Sequence, residues 1–379
     1  MTYEEKLADA GRKLDVDLKS IEDGLLHQGG WLAALADRVA ALEGRPPEPP
    51  PEPEPSEPDP PDESPPAVIT SGGAYHGHWR EGVTILTTEP VTLRGRIEAN
   101  GVLVNAPWEP SGQQLTLENL ELVSLGDARA VVAERIASLA VRACRLQDGN
   151  GIYVNASSGA LVVVDKCDAR DIGRFRRTNA RPLVQFFQLN NSLRVRGYLE
   201  WNEIVNTPGE SRVEDVINIH ASGGSQGQAF EIRRNLIRGA YPLNPLTDAF
   251  SGGGIIVGDG GGEHTHVHHN VVLDTLNYGV AIAGGRYQRL DDNLILGLNL
   301  VDGGRARGAN IGAYVWNQSK HPDGHNTGAR NRMAWHRHDG QRNDWWVPDA
   351  ASWSDNEHVG VTPELIEAAH AAWREARPA

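Results

Sequence analysis

Several side chains in this 379-residue sequence have types and spacings that could do acid–base or binding chemistry. Glu214 and Asp215 immediately precede the segment VINIH, which ends at His220. Asp259 sits in GDGGGEH, Tyr278 and Arg286 flank GVAIAGG, and Tyr314, Trp316 and Asn317 fall in GAYVWNQ. Tyr153 and Asn218 lie within NGIYVNAS and VINIH. A carboxylate pair drawn from Glu214, Asp215 and Asp259 could supply the acid and base of glycosidic hydrolysis. His220 or Tyr278 could instead abstract a proton beside a uronic carboxylate held by Arg286, giving β-elimination. Aromatic rings stack on the apolar faces of sugars while amides read hydroxyls, which suits Tyr153, Asn218, Tyr278, Arg286, Tyr314, Trp316 and Asn317 to substrate binding. Each also has a plainer reading. Asp259 could shape a Gly-rich turn, Glu214 and Asp215 could solvate a loop, and Trp316 could pack under the C-terminal segment.

These residues need strands to position them, and the alternation supplies strands. Ile152 and Val154, Ile217 and Ile219, Ile255 and Val257, Val280 and Ile282, and Ala313 and Val315 read as inward pairs. Period-two alternation turns the intervening residues outward. One outward row is then Tyr153, Asn218, Ile256, Ala281 and Tyr314. A second row beside it is Asn155, His220, Gly258, Ala283 and Trp316. The small residues at the centre predict a shallow trough with aromatic residues near both ends.

A repeat orders the strands along the chain. LTLENLELV, LAVRACRLQ, VVVDKCDARDI, LEWNEIV, EIRRNLIRG, HVHHNVVLD and RLDDNLILG share a central position held by Leu120, Cys144, Cys167, Asn202, Asn235, Asn270 and Asn293. The spacings of 24, 23, 35, 33, 35 and 23 residues are coil lengths of a solenoid with some longer loops. Asn at a tight bend tolerates left-handed backbone angles. Stacked at the ~4.8 Å strand spacing, the amides form a hydrogen-bonded column. Cys144 and Cys167 continue it as small buried fillers.

The Asn column, the Gly-bounded strands and the coil lengths resemble the pectate-lyase-like right-handed parallel β-helix superfamily over residues 67–335. The resemblance implies a fold that faces glycans. The glycoside hydrolases of that fold carry an ordered set of Asn-Thr-Asp, Asp-Asp, Gly-His-Gly and Arg-X-Lys, and this chain has no such set. Asp291-Asp292 stands in the structural repeat instead. The calcium-binding acidic cluster of the lyases finds no close counterpart either. The fold hosts many activities, so it does not choose one.

Two further segments precede the solenoid. In residues 1–45, Leu7, Leu14, Leu18, Ile21, Leu25, Leu32, Leu35, Val39 and Leu42 fall on heptad seam positions, broken by Gly11 and Gln28. A coiled coil that pairs with copies of itself is expected, with a homotrimer ranked ahead of a dimer and an anchoring partner for the helix. Residues 46–66 hold twelve Pro and seven acids with no base, half of the net charge of −14. They read as a polyproline II spacer reaching roughly 65 Å at ~3.1 Å per residue. Coiled coil, spacer and solenoid together look like bacteriophage tailspikes and tail fibres. At the other end, residues 336–379 are Trp-rich and finish in a short helix that Thr362 caps and Pro363 opens. A cap over the solenoid's open edge is expected there.

The expected architecture is therefore all-β, a right-handed parallel β-helix with an N-terminal coiled coil and a C-terminal helix. The acidic balance argues against a nucleic-acid partner. No apolar run approaches the ~20 residues of a membrane span, and the charged N-terminus does not read as a signal peptide. The leading expectation is a homo-oligomeric glycan-recognition protein of a virion or the extracellular space that binds, and in one reading depolymerises, a surface polysaccharide. A free polysaccharide lyase or glycoside hydrolase is the alternative, followed by a non-catalytic fibre or surface protein. No cofactor is expected. The run HTHVHH places His264, His266 and His268 on one face, but no neighbouring carboxylate pattern fixes a metal geometry, so no metal is expected.

Overall fold

The computed structural model describes residues 66–98, 102–104, 112–123, 126, 128–174, 184–249, 252–318, 320 and 324–378. The expected coiled coil, and the spacer up to residue 65, lie outside these residues. One compact unit, Asp62–His370, holds the solenoid; the other includes Ala371–Ala379, of which the described part is the end of the C-terminal helix.

Twenty-eight strands join into one continuous sheet whose pairings are parallel, wound into three stacked faces. The first face includes Phe187–Asn190, Asp215–His220, Gly253–Asp259, Tyr278–Ile282, Ile311–Val315 and Trp345–Trp346. The second includes Arg196–Glu200, Phe230–Arg233, Thr265–His268, Arg289–Asp291, Thr327–Ala329 and Ser352–Ser354. The third includes Asp168–Arg170, Glu203–Val205, Leu236–Ala240, Val271–Thr275, Leu294–Gly297 and Arg332–Trp335. This is a parallel β-helix. The inward residues expected from alternation, from Ile152 to Val315, are all buried in one core.

The column of central positions is real and longer than the repeat predicts. The backbone N–H of Cys167 donates to Asn202 Oδ1 at 2.9 Å, and that of Asn202 to Asn235 Oδ1 at 3.1 Å. The side-chain amides then donate upward, Asn202 to Asn235 at 2.9 Å, Asn235 to Asn270 at 3.0 Å and Asn270 to Asn293 at 3.0 Å. Asn331 and Asn356 extend the series at 2.9 and 2.8 Å. The left-handed bend falls one residue earlier than expected. Lys166, Trp201, Arg234, His269 and Asp292 carry φ values of 53 to 58°. The following Asn is thereby turned inward, where its amide joins the backbones of successive coils. A buried amide left without such partners would cost ~1–3 kcal/mol. Cys144 and Cys167 occupy the expected column positions as buried free thiols.

The C-terminal segment departs from the expected cap. Trp345, Trp353 and His358 belong to one more coil, paired in parallel with the coil below, so the solenoid runs past residue 335. Trp345 and Trp353 pack against the end of the core. The helix Pro363–Ala376 is capped by Thr362 Oγ1, which accepts from Leu365 N at 3.3 Å. Its part up to His370 packs along the side of the third face. His370 Nε2 lies 2.9 Å from Glu203 Oε1, and Arg238 Nη1 donates to Glu367 Oε2 at 2.9 Å. Charged groups turned outward on that face supply a lateral dock, while indoles close the end of the core.

Candidate functional site

Strand register builds the site from the first face. Tyr153, Gln188, Asn218, Ile256, Ala281, Tyr314 and Trp346 form one outward row. The expected row is thus recovered, with Gln188 and Trp346 added. Both were missed because their coils follow a long insertion and a Trp-rich stretch that read as a cap. In the adjacent row Asn190, His220 and Asp259 are neighbours. The expected Gly258 is displaced from that row by a bulge after Ile219. Gly258 has φ 70°, and a Cβ there would lie 2.0 Å from the Gly284 carbonyl oxygen. The position demands glycine, and the bulge swings Asp259 beside His220.

Four expected site residues form one hydrogen-bonded cluster. Asp215 Oδ1 accepts from the Tyr278 hydroxyl and, at 3.4 Å, from Gly253 N. Asn218 Nδ2 donates to Asp215 Oδ2 and to Asp259 Oδ2, each at 3.2 Å. The two carboxylate oxygens therefore stand no farther apart than twice that distance. Burial pushes the Asp215 carboxyl up to about 6; the Tyr278 and Asn218 hydrogen bonds oppose this, and the Asp259 charge adds to it. Asn218 Oδ1 and His220 Nδ1 are buried without a hydrogen-bond partner among the described residues. The half-buried members of the cluster's edge, His220 and Asp259, are the polar groups that reach the surface.

Tyr278 does not fit the role of base or sugar platform. It is 4% exposed, and burial together with Asp215 raises its phenol well above the ordinary value. Its hydroxyl is committed to Asp215, and its ring meets Tyr314 edge-on at 5.3 Å. The shallow trough is filled at its centre for the same reason. Ile256, Tyr278, Ala281, Ala283 and Ile311 form a buried apolar layer against which Tyr314 packs. Small residues were read as an open floor, but large neighbours from the next coils occupy the space.

The remaining expected residues divide by position. Glu214 Oε2 accepts from Gln185 Nε2 at 3.2 Å, and Arg129 Nη2 donates to Gln185 Oε1 at 2.9 Å. Arg129 also covers the Tyr153 ring at 5.5 Å, while the Tyr153 hydroxyl accepts from Asn190 Nδ2 at 2.9 Å. Glu214 and Tyr153 thus belong to a polar chain that runs apart from the Asp215 cluster. Arg286 lies 3.6 Å from Glu263 at a corner and does not join the cluster. The Asn317 backbone N–H donates to Asp349 Oδ2 at 2.8 Å. Trp316 and Trp346 have ring centroids 5.5 Å apart and are 41% and 51% exposed, so both rings offer apolar surface. Trp316 lies two coils from Asp259, roughly 10 Å at the ~4.8 Å spacing.

No protein-family model matches the chain, and no curated protein does. Among solved structures, the chain is similar to a mannuronic acid specific polysaccharide family 6 lyase enzyme from human gut microbiota, at 12% sequence identity and a TM-score of 0.35, over 82% of this chain and 88% of that one.

Proposed function

We propose that this protein recognises a polysaccharide laid across successive coils of the first face. The observation that carries the reading is the exposed Trp316–Trp346 pair on the same face as Asn218, His220 and Asp259. Indole faces stack on sugar rings, and the half-buried His220 and Asp259 supply polar groups at a second point along the chain. The test is a panel of acidic and neutral polysaccharides scored by affinity electrophoresis. One of them should retard the wild-type protein, and the double variant Trp316→Ala, Trp346→Ala should lose at least tenfold in affinity with an unchanged melting temperature. Equal retardation of the two proteins by every glycan rejects the reading.

A second reading, depolymerisation, is favoured by Asp215 and Asp259 sharing one amide donor. Asp259 is the half-buried member and Asp215 the covered one. New reducing ends would report hydrolysis, and absorbance of an unsaturated uronate would report elimination with His220 as the base.

The order of seam, spacer and solenoid supports a homo-oligomeric, tailspike-like fibre displayed on a virion or outside the cell. Mass photometry of the full chain should give a trimer, and a monomer at micromolar concentration would remove that part of the reading.

A further inference from the structure

The histidine run absorbed by neither reading lies on the second face. Thr265–His268 pairs with Phe230–Arg233 so that Glu231 stands beside His266 and Arg233 beside His268. The carboxylate absent from the run itself is thus delivered by the preceding coil. One ligand atom from each of Glu231, His266 and His268 lies within 4.8 Å of the others. The two imidazole centroids are 4.2 Å apart.

The ring nitrogens are already sorted. His268 Nδ1 lies 2.8 Å from His269 Nδ1, whereas His268 Nε2 is buried with no hydrogen-bond partner among the described residues. His266 Nε2 meets Asp291 Oδ2 at 3.0 Å. A carboxylate behind an imidazole fixes its orientation and raises its basicity, the usual support of a metal-bound histidine. Glu231 is paired with Arg233, but Arg233 also donates to both oxygens of Glu200, at 2.9 and 3.2 Å. Glu231 can therefore turn to a cation without stranding the guanidinium. Glu231 and His266 line a cleft of about 540 Å³ together with His264, Tyr287 and His325, which leaves a path to solvent.

We propose that Glu231, His266 and His268 bind a zinc-class divalent transition metal, with a further coordination position open to the cleft. Two imidazoles and one carboxylate are a borderline donor set that suits zinc over calcium or magnesium. Ligands of a tetrahedral zinc stand roughly 3.3 Å apart at the usual bond lengths. Closing from within 4.8 Å to that spacing is a movement of side-chain size. This site is independent of the glycan reading.

The test uses the full-length, tag-free chain stripped with chelator and titrated with zinc by calorimetry. One equivalent per chain should bind with micromolar or tighter affinity. His268→Ala and Glu231→Gln should each weaken it at least tenfold, while His76→Ala, on a distant strand, should not. Circular dichroism melts check that each variant is folded, and Glu231→Gln, at the surface, keeps the test decisive if His268→Ala fails to fold. Absence of a one-equivalent event, or wild-type affinity in Glu231→Gln, overturns the proposal.

Discussion

The first and second faces carry the same kinds of side chain, carboxylate, histidine and tyrosine, and treat them differently. On the first face Tyr278 lies over Asp215 and closes it from water. On the second face Tyr287 stacks between His264 and His325, each at 4.9 Å and 3°, so the three rings pack on one another and Glu231 and His266 stay at a cleft. An outward position in a solenoid is therefore not an exposed one. What decides is the size and tilt of the residue on the next coil, and hence whether the coil below leaves room for it. Gly253 leaves that room, since a Cβ there would fall 1.9 Å from the Tyr278 ring.

Four measurements would break or sharpen this contrast. The largest effect is expected from Gly253→Ala, which forces the Tyr278 ring off Asp215. A loss of roughly 3–4 kcal/mol is expected in urea unfolding, at the upper end for overpacking; a loss below ~1 kcal/mol would show that the ring is not held there. Next comes pH. Asp215 titrates near 6 when folded against 3.8 when unfolded, so between these values the folded state holds the extra proton. Its contribution is full below the unfolded value and is lost as pH rises through about 6, on the order of 3 kcal/mol. Unfolding free energy measured from pH 4 to 7 should carry this falling component, and Asp215→Asn should lack it. Tyr278→Phe removes one donor from a buried carboxylate and should cost about 2 kcal/mol. It should also move the falling component to higher pH. The smallest effect is expected on the second face, where Glu231→Gln leaves Arg233 paired with Glu200 and should change metal-free stability by no more than ~0.5 kcal/mol. A loss comparable to that of Tyr278→Phe would erase the distinction between the faces.

Much of this architecture was legible in the sequence because a solenoid repeats its own geometry. A polar residue held at one place in each coil, Asn202, Asn235, Asn270 and Asn293, predicts the column, and strict alternation predicts the outward row from Tyr153 to Tyr314. Asn331 and Asn356 were hidden by the Trp-rich stretch around them. The closure of the first face was not legible, because it depends on how the Tyr278 and Tyr314 rings tilt over adjacent coils. The lateral dock of the C-terminal helix depends on Glu203 and Arg238, far away in the chain. The carboxylate beside the histidine run did leave a trace. The 35-residue offset from Asn235 to Asn270 also carries Glu231 onto His266.

The amide column has a direction. Six asparagines run from Asn202 to Asn356, and below them the same position is filled by Cys167 and Cys144, whose thiols make weaker links. Load applied at Pro66, the first described residue, would reach the coils before Asn202 first, where Leu120, Cys144 and Cys167 fill the position. Those coils would peel while the asparagine-stitched ones, which bear the Asp215 cluster and the histidine run, kept their shape. The solenoid is thus graded like a rope whose first coils are its softer end.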